Sequence, residues 1–171
     1  DTAKMWDCNP NSSTFGDFVK TFTGHNDVVR SVFVSGDYLF TGSYDETAMM
    51  WDCNPNSSTF GDLVKTFTGH TDLVLSVFVS GDYLFTGSDD DTAKMWNIST
   101  GNLVKTFTVS AIGNVRSVFV SGDFLFTGSD DLIARMWNIS TGNLVKAFAG
   151  HTGYVTSVFV SGDYLFTGSY D

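Results

Sequence analysis

Apolar and polar positions alternate along this chain in short runs, and the runs return on a fixed beat. Val32-Phe33-Val34 is β-branched and aromatic, and it stops at Ser35-Gly36-Asp37. Tyr38-Leu39-Phe40-Thr41 follows at once, and a Gly-Asp loop between two such runs predicts a β-hairpin. Ser43-Tyr44-Asp45-Glu46 carries turn residues, and Thr47 to Trp51 reads as a third strand. Leu63-Val64-Lys65-Thr66-Phe67-Thr68 reads as a fourth, closing at Gly69-His70. Every local signal in the period is β.

The heptapeptide Ser-Val-Phe-Val-Ser-Gly-Asp begins at Ser31, Ser76, Ser117 and Ser157, at spacings of 45, 41 and 40 residues. Trp6, Trp51, Trp96 and Trp137 keep the same beat. Self-similarity at this period means an array or a propeller, and four short antiparallel strands make one blade. The period shortens where the loop from Asp52 to Asp62 gives way to the briefer Asn97-Ile98-Ser99-Thr100-Gly101-Asn102. Length changes there read as a surface loop, where insertion costs little. The chain opens at Asp1-Thr2-Ala3-Lys4-Met5-Trp6, the start of a third strand, and closes at Gly168-Ser169-Tyr170-Asp171, the end of a second. Joined head to tail, these ends reproduce the internal pattern without a gap. The expectation is therefore a single propeller unit over 1–171, with blades at 26–70, 71–110 and 111–150. Residues 1–25 and 151–171 would supply two strands each to a composite blade.

A Gly-His turn, then Gly-Ser-x-Asp with its Asp 20 residues after the His, then Trp-Asp or Trp-Asn, resembles the WD40 family. The match covers essentially the whole chain and recurs in every period. The resemblance implies an all-β, WD40-type β-propeller with four blades of four antiparallel strands, acting as a non-catalytic protein-interaction scaffold. It also implies a buried hydrogen-bonded set in each blade. His25 goes with Asp45 and Trp51, His70 with Asp90 and Trp96, and His151 with Asp171 and Trp6. The hydroxyl member is Thr41 or Ser43 in the first set and Thr86 or Ser88 in the second, and spacing does not choose between them. A buried imidazole, carboxylate and indole are costly unless all are paired. A His-Asp-Ser trio also has the composition of a hydrolase triad, but its recurrence in most repeats suits a structural network.

One period breaks the pattern. Thr108-Val109-Ser110-Ala111-Ile112-Gly113 stands where Gly-His is expected. Asp131 and Trp137 remain, and Leu132-Ile133 replace the usual Asp-Thr or Glu-Thr. The expectation is a weaker polar network offset by apolar packing, with the fastest amide exchange of the four blades.

Function in the family sits mainly on the narrow top face, so positions that vary between copies are the candidates for binding proteins or peptides. The residue before the turn Asp is Tyr44, Asp89, Asp130 or Tyr170, and the first strand begins with Arg30, Leu75, Arg116 or Thr156. Two residues upstream lie Val28, Leu73, Asn114 and Tyr154. Tyr and Arg are enriched in interface hot spots. The alternative is a glycan- or small-molecule-binding, lectin-like propeller. That reading requires the same exposed set in every blade, and the Tyr/Asp alternation weakens it.

Composition narrows the field. The chain has 171 residues, sixteen Phe, seventeen Gly and two Pro, which fits a packed fold of many tight turns. A net charge of −10 repels phosphate backbones and anionic lipids, so neither nucleic acid nor a membrane is an expected partner. No apolar stretch approaches the roughly 18 residues a membrane helix needs. The chain starts at Asp1 without Met or a leader pattern, which is expected of a processed product or a fragment, and a cytoplasmic location is the working expectation. Cys8 and Cys53 occupy equivalent repeat positions, which lie far apart in arrays, against a disulfide within one chain. Asp89-Asp90-Asp91 reads as a solvated turn, because adjacent carboxylates point in different directions and EF-hand spacing is absent. The Asn-x-Ser sequons at Asn11, Asn56, Asn97 and Asn138 read as turns. No phosphate loop, dinucleotide fingerprint or nucleophile elbow occurs, so no cofactor or metal is expected.

Rings of WD-type blades commonly hold about seven, with about 50° between neighbours, whereas four would need about 90° each. Nothing bulky in the blades forces that splay. Uncovered edge strands invite aggregation. Two chains closing an eight-bladed ring as a homodimer, each completing the other's split blade, is the preferred expectation. A compact four-bladed monomer and a piece of a longer propeller are the alternatives. The near identity of the copies fits recent duplication, or a consensus or engineered origin.

Overall fold

The computed structural model describes residues 1–110 and 112–171. Ala111, inside the segment that replaces Gly-His in the third period, lies outside the described residues. Three four-stranded antiparallel sheets follow one another along the chain. The first holds β3 (Val29–Ser35), β4 (Tyr38–Ser43), β5 (Ala48–Asp52) and β6 (Leu63–Phe67) in sequence order. The second holds β7 (Val74–Ser80), β8 (Tyr83–Ser88), β9 (Thr92–Asn97) and β10 (Leu103–Thr108). The third holds β11 (Val115–Ser121), β12 (Phe124–Ser129), β13 (Ile133–Asn138) and β14 (Leu144–Ala149). At the ends, β1 (Thr2–Trp6) pairs with β2 (Phe18–Thr23), and β15 (Val155–Ser161) pairs with β16 (Tyr164–Ser169), as separate two-stranded sheets. The sheets form an open series and do not close on themselves, so the compact four-bladed ring is not the form this chain takes.

The predicted strands fall where the alternation placed them, but the first strand of each blade is longer than its Val-Phe-Val run. β3 begins at Val29 because a β-bulge carries the ladder past Arg30, between Val29↔Ser43 and Ser31↔Gly42. The same irregularity recurs in β7, β11 and β15. The hairpin turn is tight because its Gly adopts the left-handed conformation, at φ 57° for Gly36 and 55° for Gly81.

The core lies between sheets. Phe40, Ala48, Met50 and Phe67 of the first sheet pack on Val74, Val77, Val79, Leu84 and Trp96 of the second. The second and third sheets repeat this with Phe85, Met95 and Phe107 against Val115, Val118 and Trp137. A ladder of rings runs through the innermost strands, with Phe33–Phe78, Phe78–Phe119 and Phe119–Phe159 all at 4.8 Å. Beside it the Val77, Val118 and Val158 amides donate to Ser31, Ser76 and Ser117 Oγ of the preceding sheet, each at 3.1 Å. One junction is thus used three times. Among the described residues no helix is long and apolar enough to cross a membrane.

The junction fixes a glycine in each second strand. A Cβ at Gly87 would sit 2.8 Å from both the carbonyl oxygen and Cγ1 of Val115 in the next sheet, and a backbone atom cannot swing aside. Gly87→Ala should therefore cost about 2 kcal/mol by overpacking. A thermal melt would show a drop of several degrees; a melt matching the parent would mean the sheets slide apart easily.

Candidate functional site

The hydroxyl in each buried set is the threonine. Trp51 Nε1–H donates to Thr41 Oγ1 at 3.0 Å, Thr41 meets His25 Nε2 at 2.7 Å, and His25 Nδ1 meets Asp45 Oδ2 at 2.8 Å. The second set repeats this, with Trp96–Thr86 at 2.9 Å, Thr86–His70 at 2.6 Å and His70–Asp90 at 2.7 Å. An indole only donates, so the threonine oxygen accepts from it and directs its own proton to His Nε2. Nδ1–H is then left to donate to the aspartate. Ser43 and Ser88 do something else: each donates to a main-chain carbonyl and accepts the amide of the turn aspartate. Thr41 and Thr86 are 0% exposed, so no substrate can reach a nucleophile in these trios.

The electrostatics of the second set are shaped by Lys94, a buried lysine whose Nζ donates to Asp90 Oδ2 at 2.9 Å and to Thr92 Oγ1 at 2.7 Å. Burial pushes the Asp90 carboxyl up, but hydrogen bonds from His70, Thr92 and Lys94 outweigh it and hold the group well below the usual carboxylate range. Burial is the main force on His70 and keeps its imidazole below its ordinary value of 6.5. The first set has Met49 at the position of Lys94. A basic residue two before the tryptophan was a signal available in Lys4, Lys94 and Arg135, although the motif alone does not point to it.

Arg135 accounts for the aberrant period. Its guanidinium grips Asp131 with both prongs, Nη1–Oδ1 at 2.9 Å and Nη2–Oδ2 at 2.6 Å, and Ser110 Oγ donates to Asp131 at 2.8 Å. Trp137 still donates to Thr127 at 3.0 Å. The missing imidazole is thus replaced by an ion pair, not by the apolar packing expected from Leu132-Ile133. Leu132 also stands at φ 70°, a left-handed conformation that suits Asn or Gly better than a leucine.

The fourth set is split. His151 Nε2 meets Thr167 Oγ1 at 2.7 Å, and Nδ1 meets the Asp171 carboxylate at 3.0 Å. Trp6, its expected indole, lies at the other end of the chain and is 54% exposed.

Of the variable positions on the His-turn face, Arg30, Leu75, Arg116 and Thr156 are the extra residues of the four bulges. A bulge re-aims its side chain and frees it from ladder pairing. The structure brings five of the candidates together. Arg116 grips Asp130 with Nε and Nη2, its guanidinium carbon lies 5.4 Å from the Tyr154 ring centre, and Tyr154 is 6.2 Å from Tyr170. Asp89 is close enough to Arg116 to feel its charge, but burial dominates and pushes its carboxyl up. Together with Asp91, Ile112 and Asn114, three of these residues line a shallow cavity of about 450 Å³. Arg30 is exposed and Tyr44 and Thr156 are half-buried, apart from this cluster. Leu75 is buried and offers a partner little surface.

The adjacent carboxylates do not converge: Asp90 faces His70 and Lys94, while Asp91 Oδ1 accepts the Gly113 amide at 2.7 Å. Cys8 and Cys53 are free thiols.

Sheets of this order and a His–Thr–Trp–Asp set repeated along the chain define a WD-repeat, propeller-type protein. The family model described as "WD domain, G-beta repeat" matches at 16–52, 61–97, 101–138 and 142–171, and the chain belongs to the WD40 family. No curated protein matches this sequence. The solved structures similar in fold include two designed proteins. The computationally designed Ika4 protein shares 23% identity at a TM-score of 0.77, over 86% of this chain and 88% of that one. The computationally designed Ika8 protein shares 23% identity at a TM-score of 0.79, over 90% of this chain and 46% of that one. This chain therefore spans just under half of the longer design.

His70→Ala takes one partner each from Asp90 and Thr86 and should cost about 3 kcal/mol, a loss of roughly 6–12 °C in Tm. The cost should also depend on pH. Because the folded His70 resists protonation, the unfolded chain takes up more protons below its ordinary value of 6.5, and stability falls as the pH drops through that value. The stability gap between the parent and His70→Gln should shrink between about pH 7.5 and 5.5 in urea titrations. A constant gap would mean His70 titrates equally in both states. Leu132→Asn should raise stability by about 0.5–1 kcal/mol, read by the same melt.

Proposed function

We propose that this chain is a non-catalytic protein-interaction scaffold that binds a protein or peptide segment on its His-turn face. The observation behind the reading is the Arg116–Asp130–Tyr154–Tyr170 cluster. It occupies one sector of an otherwise repetitive surface, with Tyr154 44% and Tyr170 73% exposed. The ion pair holds the guanidinium in place, so two aromatic rings and a fixed charge are presented at little entropic cost. Peptides selected on the immobilised chain from a random display library should lose at least tenfold in affinity on Tyr154→Ala or Arg116→Ala, about 1.4 kcal/mol. Asp163→Ala, in the hairpin turn of β15 and β16, should leave binding unchanged. Binders indifferent to Tyr154, Tyr170 and Arg116 would remove the site, and a reproducible glycan-array hit would favour the lectin-like reading.

The scaffold also assembles with a second copy into an eight-bladed ring. Both ends of the series are uncovered and apolar: Trp6, Val32 and Val34 at one, Phe159 and Phe166 at the other. Burying five such side chains is worth on the order of 10 kcal/mol, comparable with the roughly 4–15 kcal/mol that association costs. A single joint is marginal. A closed pair makes two joints for one association, which favours a ring over an open filament. Light scattering behind size exclusion should give twice 18.7 kDa; a monomer at every concentration would overturn the ring.

A further inference from the structure

We infer that the joint between two copies is an in-register strand pair, β16 of one copy on β1 of the next, latched by Trp6 and Lys4. This rests on the two-copy reading above and specifies how the copies meet.

The internal blades supply the template. β8 pairs with β9 through Leu84↔Trp96, Thr86↔Lys94 and Gly87↔Ala93. Carried one blade further, the pairing puts the partner's Leu165 against Trp6, the partner's Thr167 against Lys4 and the partner's Gly168 against Ala3. Both halves of the pairing are presented. His151, Thr167 and Asp171 are already bonded to one another and lack the groups that the third strand supplies in the internal blades, the indole first among them. Trp6 carries that indole on the far end with no acceptor among the described residues, whereas Trp51, Trp96 and Trp137 each donate to a threonine. Lys4 holds the place of Lys94 and so reaches the partner's Asp171, as Lys94 reaches Asp90.

Three further contacts of the repeating junction end in unmatched halves that agree on the same register. Ser31, Ser76 and Ser117 each accept an amide from the next sheet, so Ser157 awaits the partner's Val32 amide. The 4.8 Å ring ladder stops at Phe159, whose next rung is the partner's Phe33. Lys20 donates to the Phe60 carbonyl of the following loop, Lys65 to Ser99 and Lys105 to Ile139, so Lys146 awaits the loop that contains the partner's Phe15. That loop is vacant at the corresponding point. A Cβ at Gly61 would strike Lys20, whereas a Cβ at Gly16 would meet nothing within 4 Å. One copy cannot make this joint with itself while its three junctions repeat one geometry, since β1 and β16 then stand in separate sheets.

The test is a double-mutant cycle on the dimer. Trp6→Phe keeps the ring and removes the N–H, and Thr167→Val keeps the shape and removes the hydroxyl. Both sites are exposed in the single chain, so each variant should fold as the parent does, checked by circular dichroism. Sedimentation equilibrium should show each change weakening the dimer by about tenfold or more, and the pair together no worse than the weaker single. A dimer whose two effects multiply, or that neither change weakens, would overturn this register and leave the two-copy ring standing. A chain that stays monomeric at all concentrations would overturn both.

Discussion

A blade of four short strands has two apolar faces and cannot bury either of them alone. The rest of this structure follows from that constraint. Each core cluster takes residues from two successive sheets, so stability is a property of junctions and not of blades. The junction sets the sequence closely. Gly42, Gly87 and Gly128 leave no room for a Cβ because a valine of the next sheet lies against them. Val77, Val118 and Val158 are buried, and Val32, the same residue where the preceding β1–β2 sheet lacks the two inner strands, is 59% exposed. Identical chemistry is core or surface according to whether a neighbour exists.

The polar sets act at right angles to that packing. Within a blade, Trp–Thr–His–Asp ties the third strand to the second and to the loop entering the blade, without using apolar area. The set tolerates rewiring so long as the aspartate is satisfied. Lys94 adds a cation beside His70 and Asp90, and Arg135 substitutes a two-pronged ion pair where the imidazole is missing. What each blade holds fixed is a paired carboxylate at the turn, and the donors are interchangeable. Asp131 shows why a sequence lacking the histidine does not mark a failing blade: burying a carboxylate is costly only when it is left alone.

Much of this was legible from the residues. The Val-Phe-Val and Tyr-Leu-Phe runs locate the hairpins, the tryptophan beat locates the third strands, and the WD40 motif selects His25, Asp45, Trp51 and their counterparts. Three things were not legible. Thr41 and Ser43 are both hydroxyls one strand-turn apart, and only the ladder register puts Thr41 opposite Met49 and beneath the indole. The bulge at Arg30 and its equivalents leaves no signature in composition, since a bulge accepts Arg, Leu or Thr alike. The role of Arg135 depends on a side chain reaching back four residues across a turn, and spacing alone also fits a solvated cation.

The bulges separate what the fold requires from what it leaves free. Residues in the ladder on either side, Val29 and Ser31 or Val115 and Ser117, are held by pairing and by the next sheet, and they do not change between copies. The bulged residue answers to neither, and it is Arg, Leu, Arg and Thr in turn. The turn position before each aspartate is similarly free, and it is Tyr or Asp. Where two free positions of neighbouring blades meet, as Arg116 and Asp130 meet Tyr154 and Tyr170, the surface acquires a composition that no other sector shares. Such positions distinguish one blade from the next on this face. On the proposed reading, recognition falls to residues the packing does not constrain, and the cluster at Arg116 is where several of them converge.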